Sequence, residues 1–298
     1  MSLTKTKKSK TANDSLRHEA LEDFATACLS REASLLGRKE VLTGKAKFGI
    51  FGDGKEVAQV AMARCFKDGD FRSGYYRDQT FMFAAGLATV QQFFAQLYAH
   101  ADAEQEPFSA GRQMNAHFAT PLIDNQGQWL NHTQRKNVSS DISPTAGQMA
   151  RALGLAFASK KYRESKVLAE GTPFSVNGNE VSFCTIGDAS TSEGVFWETI
   201  NAAGVLQAPL AVFVWDDGYG ISVPIKYQTT KSSISEVLKG FHGEGGVDIY
   251  TVKAWDYPAL RQTFAQAIEQ TRQTHRPCLL HVQEVTQPQG HSTSGSHE

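Results

Sequence analysis

What the chain has little of narrows its function first. Its formal net charge is −1 over 298 residues, with no basic stripe, so nothing points to nucleic acid as a partner. No apolar run approaches the ~20 residues that a membrane-spanning helix requires. The four cysteines, Cys28, Cys65, Cys184 and Cys278, are widely separated and form no C-x-x-C pair. That spacing predicts free, mostly buried thiols in a reducing compartment. No hydrophobic region follows the polar, lysine-rich start, which excludes a signal peptide and predicts a cytoplasmic protein. No G-x-G-x-x-G follows a strand-like run, which argues against a nicotinamide-dinucleotide site. What remains is a globular composition, 41% hydrophobic and 20% charged, with length for one large core or two modest ones.

One stretch organises the rest, VSFCTIGDASTSEGVFWETINAAGVLQAPLAVFVWDDGYGISV at 181–223. Residues 181–186 are apolar and β-branched and read as a buried strand ending in Gly187-Asp188-Ala189-Ser190. A helical pattern follows, with Phe196, Ile200 and Ala203 in phase and Ser190 and Glu193 spaced as a capping box. A second strand, 210–215, ends in Asp216-Asp217-Gly218-Tyr219-Gly220. Both carboxylate-bearing turns of this β-α-β unit fall at the carboxyl end of a parallel sheet, where open α/β sheets bind ligands. A helix start suits a phosphate, and Asp188 and Asp217 offer hard oxygens suited to magnesium or calcium. Together they describe a metal–diphosphate site.

The G-D-x motif at Gly187-Asp188, with Asp217 following 29 residues later, resembles the thiamine diphosphate motif of the 2-oxoacid dehydrogenase complexes. The similarity is to the α half of their first, decarboxylating component. The resemblance implies that Asp188, the Asp217 side chain and the Tyr219 backbone carbonyl ligate Mg²⁺. It also implies that Gly187, Ala189 and Ser190 touch the diphosphate. The family usually has Asn where this chain has Asp217. At ~4 Å and an effective dielectric of ~20, a like-charge contact is worth about 4 kcal/mol. The extra carboxylate therefore requires the metal or a nearby base.

Four further segments resemble the family in the same order. Gly54-Lys55-Glu56-Val57-Ala58 resembles a glycine-Gln-Glu-Ala segment that opens an early helix. The preceding Gly52-Asp53-Gly54 is a better G-D-G on its face, but it follows no convincing strand and has Met82 at the required distance. Tyr76-Arg77 resembles the pair that grips the diphosphate, a task suited to the planar guanidinium fork, and Arg77 is a candidate to neutralise Asp217. Gly111-Arg112-Gln113-Met114-Asn115-Ala116-His117-Phe118 resembles a stretch associated with branched-chain substrates. His117 is either a cofactor or substrate contact or a satisfied structural histidine, the two standing level. Ser143-Pro144-Thr145-Ala146-Gly147-Gln148 resembles S-P-L-A-T-Q, which implies that Ser143 and Thr145 meet the aminopyrimidine. Gly147 stands where Thr is frequent, which leaves the segment's monovalent-cation site open.

Elsewhere the chain reads more blandly. Residues 1–14 read as a disordered leader, with a phosphate-binding arm as the alternative; an amphipathic helix then starts at Ser15, its cap. The remainder, 15–298, reads as one α/β domain, a doubly wound, mainly parallel sheet with helices on both faces. Composition makes 287–298 a mobile tail, but Gly290-His291-Ser292-Thr293-Ser294 resembles the family's cofactor-ordered loop. The histidine matching His291 there serves acid–base and acyl-transfer steps, work suited to an imidazole near neutral pH. Ser292 matches a regulatory phosphorylation position of animal relatives.

The resemblance implies decarboxylation of a 2-oxoacid on thiamine diphosphate with Mg²⁺, then acyl transfer to the lipoyl group of a partner acyltransferase. Residues 111–114 and Ser192-Glu193-Gly194 favour a branched-chain substrate such as 2-oxoisovalerate. No segment resembles the β half that supplies the activating glutamate, so a β subunit or β domain in an α2β2-type assembly is expected, following Glu298 or separate. Two other readings stand beside this one: a different thiamine enzyme (pyruvate or acetoin dehydrogenase, or transketolase-like) and a catalytically silent scaffold subunit.

Overall fold

The computed structural model describes residues 3–291 and Thr293, with side chains from Asp14 onward. In chain order the elements are α1 (Leu3–Leu42), α2 (Glu56–Ala63), β1 (Phe71–Ser73), α3 (Gln79–Ala84), α4 (Val90–Leu97), β2 (Asn137–Val138), α5 (Gln148–Glu164), α6 (Lys166–Ala169), β3 (Ser182–Gly187), α7 (Gly194–Leu206) and β4 (Leu210–Trp215). The hairpin strands β5 (Tyr219–Gly220) and β6 (Val223–Pro224), then α8 (Ile234–Val237), β7 (Asp248–Lys253), α9 (Tyr257–Thr274) and β8 (Cys278–Gln283), complete it.

Strands buried on both faces read as unbroken apolar runs, and β3 and β4 are the two at the centre. The six-stranded sheet has the order β2-β1-β3-β4-β8-β7, with every pairing parallel. Alternate side chains feed two cores. Phe183, Phe213 and Trp215 pack with Met62, Phe81 and Phe264 on one face. Cys184, Ile186, Val212 and Val214 pack with Met149, Phe196 and Ile200 on the other. Helices α2, α3 and α9 therefore cover one side and α5 and α7 the other, the doubly wound α/β arrangement expected. The chain leaves β1 toward β2 and returns to lay β3 on the opposite side of β1, so the switch point lies between β1 and β3.

The structure departs from the sequence reading at three places. Helix α1 begins at Leu3, so the residues expected as a leader form its first turns and Ser15 lies inside it. Residues 3–14 contain neither glycine nor proline, and nothing in the backbone stops the helix. The Ser190–Glu193 capping box does not form. Residues Ala189–Ser192 make a 3-10 turn instead, and α7 starts at Gly194 without a side-chain cap. The Thr191 hydroxyl donates to the Asp188 carbonyl at 2.6 Å and tightens that turn. Strands β1 and β2 carried no strand signal, because they are three and two residues long and include Arg72 and Asn137. The cysteines are free, with Cys28 exposed and the other three buried.

One buried histidine gives the fold a pH limit. His275 ends α9 in a left-handed conformation, φ 57°, and its Nε2 donates to the Gly178 carbonyl at 2.7 Å. Burial, then the Arg163 guanidinium and Lys160, lower its pKa to about 4, against the Gly178 carbonyl and Glu164. The unfolded chain therefore takes up this proton first, near the ordinary value of about 6.5. Stability is present above that value, falls as pH drops toward about 4, and levels off below. Melting midpoints measured from pH 7 to 4 should decline, and His275→Gln should flatten part of that decline.

Candidate active site

The site is built where five connections leave the carboxyl ends of the sheet. A cavity of about 420 Å³ is bounded by the loops after β1, β2, β3, β4 and β8, a size usual for small-molecule sites. From the β1 loop come Tyr76 and Arg77, and from the loop before α5 comes Thr145. Gly187, Asp188, Ala189 and Ser190 follow β3, Asp217 and Tyr219 follow β4, and His291, beyond β8, lies beside Asp217. Ten of the residues singled out from sequence thus meet around one space.

Three fully buried side chains set the β1 wall. Arg72 donates through Nη1 to both oxygens of Asp141 at 3.0 and 3.1 Å and through Nε to Asp78 Oδ2 at 2.9 Å. Its Nη2 donates to the Tyr75 carbonyl at 3.1 Å, which fixes the turn that presents Tyr76 and Arg77. Asp141 in turn accepts from the Phe118 N–H at 3.0 Å, beside His117.

His117 and Ser143, also singled out from sequence, do not line the cavity but stand behind Tyr76. The His117 ring stacks on Tyr76 with centroids 5.7 Å apart and planes 21° apart. Its Nδ1 donates to the Asn115 carbonyl at 3.1 Å, leaving Nε2 to accept from the Ser143 hydroxyl at 2.9 Å. Burial lowers the His117 pKa, in keeping with a neutral ring.

The two aspartates in sequence, Asp216 and Asp217, have separate tasks. Asp216 turns away from the cavity. Its Oδ1 accepts from the Gly218 N–H at 3.0 Å and its Oδ2 pairs with His281 at 2.7 Å. Asp217 faces the cavity, with Oδ1 accepting from the Tyr219 N–H at 3.2 Å. Its Oδ2 meets His291 Nε2 at 3.0 Å and Lys55 Nζ at 3.3 Å. Burial opposes ionisation of Asp217, but the His291 hydrogen bond and the Lys55 charge outweigh it and hold the carboxyl below its ordinary pKa.

Asp188 is in the opposite condition. Its side chain is almost fully buried, and Oδ2 has no hydrogen-bond partner among the described residues. Burial, then the charges of Asp217 and Asp216, push its carboxyl up to about 8. A buried carboxylate oxygen without a partner is costly unless a cation meets it. No cluster of three or more His, Cys, Asp or Glu able to hold a metal occurs among the described residues. Two carboxylates, Asp188 and Asp217, beside one cavity are nonetheless hard-oxygen donors of the kind Mg²⁺ takes, with water and phosphate able to complete the shell. The residues present fit that ion.

The base that neutralises Asp217 is not Arg77. The Arg77 guanidinium is held by two backbone carbonyls, Phe51 at 2.7 Å and His291 at 2.6 Å. Lys55 does that work together with the His291 hydrogen bond, and the sequence gives Gly54-Lys55-Glu56 only as a turn and helix start. That assignment is right for the backbone, since α2 begins at Glu56. The signal available was a lysine standing at a Gln position in the family-like segment.

The Gly52-Asp53-Gly54 turn anchors the segment that carries His291. Asp53 is fully buried and accepts from Gln287 at 3.0 Å. Gly54, at φ +94°, lies against the Thr286 carbonyl, where any side chain would collide. Arg38 donates to the Gly290 carbonyl at 3.2 Å, and Thr293 Oγ1 to the Gly49 carbonyl at 3.2 Å. Ser292 and Ser294 lie outside the described residues.

A doubly wound sheet that gathers carboxylates, a buried lysine and an arginine at its switch point defines an α/β protein with a charged site at the carboxyl edge of its sheet. Residues 26–296 match the family described as "Dehydrogenase E1 component", and the chain belongs to that family, the thiamine diphosphate-dependent first component of 2-oxoacid dehydrogenases. Among its relatives is the 2-oxoisovalerate dehydrogenase subunit alpha of Bacillus subtilis, 30% identical over 88% of this chain and 69% of that subunit. The mitochondrial 2-oxoisovalerate dehydrogenase alpha subunits of Caenorhabditis elegans and Bos taurus are 27% and 25% identical over 62% and 66% of this chain. In each of those two, the match spans only 36% of the subunit's length. No helix among the described residues is long and apolar enough to cross a membrane.

Proposed function

We propose that the chain supplies the metal–diphosphate half of a thiamine diphosphate site that decarboxylates a branched-chain 2-oxoacid such as 2-oxoisovalerate, with Mg²⁺ as the metal. The observation that carries this reading is the unpartnered Oδ2 of Asp188 beside the cavity that Asp217 and Tyr219 also face. The names of the three relatives support the substrate class. When bound, thiamine diphosphate supplies the electron sink that loss of CO₂ from a 2-oxoacid requires.

The chain's own residues bind and orient. Asp188, Asp217 and the Tyr219 carbonyl hold the metal, and Gly187, Ala189 and Ser190 face the diphosphate. Tyr76 and Arg77 close over it from the β1 side, and Thr145 stands at the ring end with Ser143 behind it. His291, its Nε2 on Asp217, is the group placed to exchange a proton at the open side of the cavity. His117, neutral and stacked on Tyr76, steadies that wall through Ser143.

The rest of the reaction belongs to partners. A β subunit or β domain in an α2β2-type assembly would supply the missing activating carboxylate. A lipoyl-bearing acyltransferase component would receive the acyl group. Free cysteines fit a reducing compartment, which we take to be the cytoplasm. The test is calorimetric titration of thiamine diphosphate, with and without Mg²⁺, into the chain assembled with its β half. Binding that requires the metal, and 2-oxoisovalerate-dependent reduction of an artificial acceptor, are the expected results. An assembled, folded complex that binds no cofactor would leave a silent scaffold subunit instead.

A further inference from the structure

Lys55 is among the most deeply buried charged side chains of the protein, its ammonium stem 1% exposed. An ammonium withdrawn from water is strongly disfavoured unless an anion and hydrogen-bond acceptors meet it. Two acceptors do: Asp217 Oδ2 at 3.3 Å and the Gln287 side-chain carbonyl at 2.7 Å. The partners come from different segments, one from the turn after β4 and one from the stretch that carries His291. Lys55 itself stands one residue before α2 and lines the cavity. One side chain therefore ties together three of the walls.

Asp188 and Asp217 face the cavity together, and Arg77, which keeps its charge, directs its guanidinium to the Phe51 and His291 carbonyls rather than to Asp217. Without Lys55, Asp217 would keep only a histidine against a second buried carboxylate. Two of the departures from the family's pattern, Asp217 for Asn and Lys55 for Gln, are residues in contact with each other.

We propose that Lys55 is a positioning residue of the metal–diphosphate site, acting with Asp217 as one unit: the ammonium holds the Asp217 carboxylate in place for the metal and offsets its charge. The inference rests on the reading of this cavity given above. It makes the lysine necessary only while residue 217 is an aspartate. An amide at 217 carries no charge to offset, so a neutral residue at 55 then suffices.

A double-substitution cycle tests this. Lys55→Gln, Asp217→Asn and the pair K55Q/D217N are compared with the unaltered chain, each assembled with the β half. Two quantities are read: the melting midpoint without cofactor, and the calorimetric affinity for thiamine diphosphate in saturating Mg²⁺. Loss of a group that orients a metal ligand weakens binding by about 10–100-fold, and that is expected for Lys55→Gln. K55Q/D217N should return to within about threefold of the unaltered protein and melt above both single variants, the non-additivity of a coupled pair. If Lys55→Gln lowers the melting midpoint but leaves affinity unchanged, the lysine is only a structural ion and the proposal falls while the cofactor site stands. Additive losses in the double variant overturn it equally. Should Lys55→Gln fail to fold, the proposal still requires K55Q/D217N to bind more tightly than Asp217→Asn alone. If the unaltered complex binds no cofactor, the functional reading fails first and this inference with it.

Discussion

Asp188→Asn should eliminate Mg²⁺-dependent binding of thiamine diphosphate while leaving the cofactor-free protein as stable as before, or more so. The two halves of this expectation have one cause. Asp188 is buried, has an oxygen with no partner among the described residues, and is repelled by Asp217 and Asp216. That arrangement opposes folding unless a cation is present, so removing the charge relieves the folded chain. The same arrangement attracts the metal. Losing partners one shell further out already costs about 10–100-fold in metal affinity, so loss of a direct ligand should exceed about 100-fold. Calorimetry with and without Mg²⁺ reads the first half, and thermal melting without metal reads the second. A variant that binds normally would remove Asp188 from the site. A variant that melts far below the unaltered chain would show that the carboxylate is instead a structural acceptor.

Arg72→Met carries the largest expected stability loss. The guanidinium is fully buried and meets two carboxylates, Asp78 and Asp141, that are also fully buried. Asp78 further accepts from the Thr185 hydroxyl and from Gln59 Nε2 at 3.3 Å. Burial pushes the Asp141 carboxyl up to about 6 even with Arg72 beside it. Removing the arginine leaves two buried acids without a cation, a change worth about 3–5 kcal/mol. Typical domains have a net stability of about 5–15 kcal/mol, so this single loss is a large share. Urea titration should show a much lower midpoint. Arg72→Lys should recover only part of it, because an ammonium cannot reproduce the fork that reaches Asp78, Asp141 and the Tyr75 carbonyl at once. Cofactor affinity should fall as well, since the Tyr75 carbonyl is the handle by which Arg72 presents Tyr76 and Arg77. A midpoint unchanged by Arg72→Met would mean that the triad's desolvation cancels its attraction.

The central strands and their flanking turns were legible because local sequence fully encodes them. Strand β4 matches the reading residue for residue, and β3 is displaced by one. A strand buried on both faces must be apolar at every position, so its limits are written in composition alone. In helix α9, Leu260, Phe264, Ala267 and Ile268 likewise recur at helical spacing and are buried together. The carboxylates at the strand ends were legible for a related reason. In a parallel sheet, whatever follows the strands arrives at one edge, and the pairing of β3 with β4 makes Asp188 and Asp217 neighbours there.

Tertiary structure decided the rest. Strand β1 is three residues with a buried arginine in its middle, and it becomes a strand only because β3 and β2 pair with it on either side. The capping box expected at Ser190 does not form, and residues 189–192 make a 3-10 turn in which the Thr191 hydroxyl and N–H both donate to the Asp188 carbonyl. Nor could the sequence assign the charge balance of the site. Lys55 and Asp217 are 162 positions apart, and Arg77 and the His291 carbonyl 214. A pattern read along the chain reports which side chains share a face over one or two turns. Which cation reaches which carboxylate is fixed by chain closure, when α2, the turn after β4 and the segment beyond β8 converge. The sequence by itself determined the two central apolar strands, the parallel α/β class and the acids that follow those strands. Only the folded molecule determined that a lysine rather than an arginine answers the aspartate, because burial makes that pairing obligatory only once the walls have met.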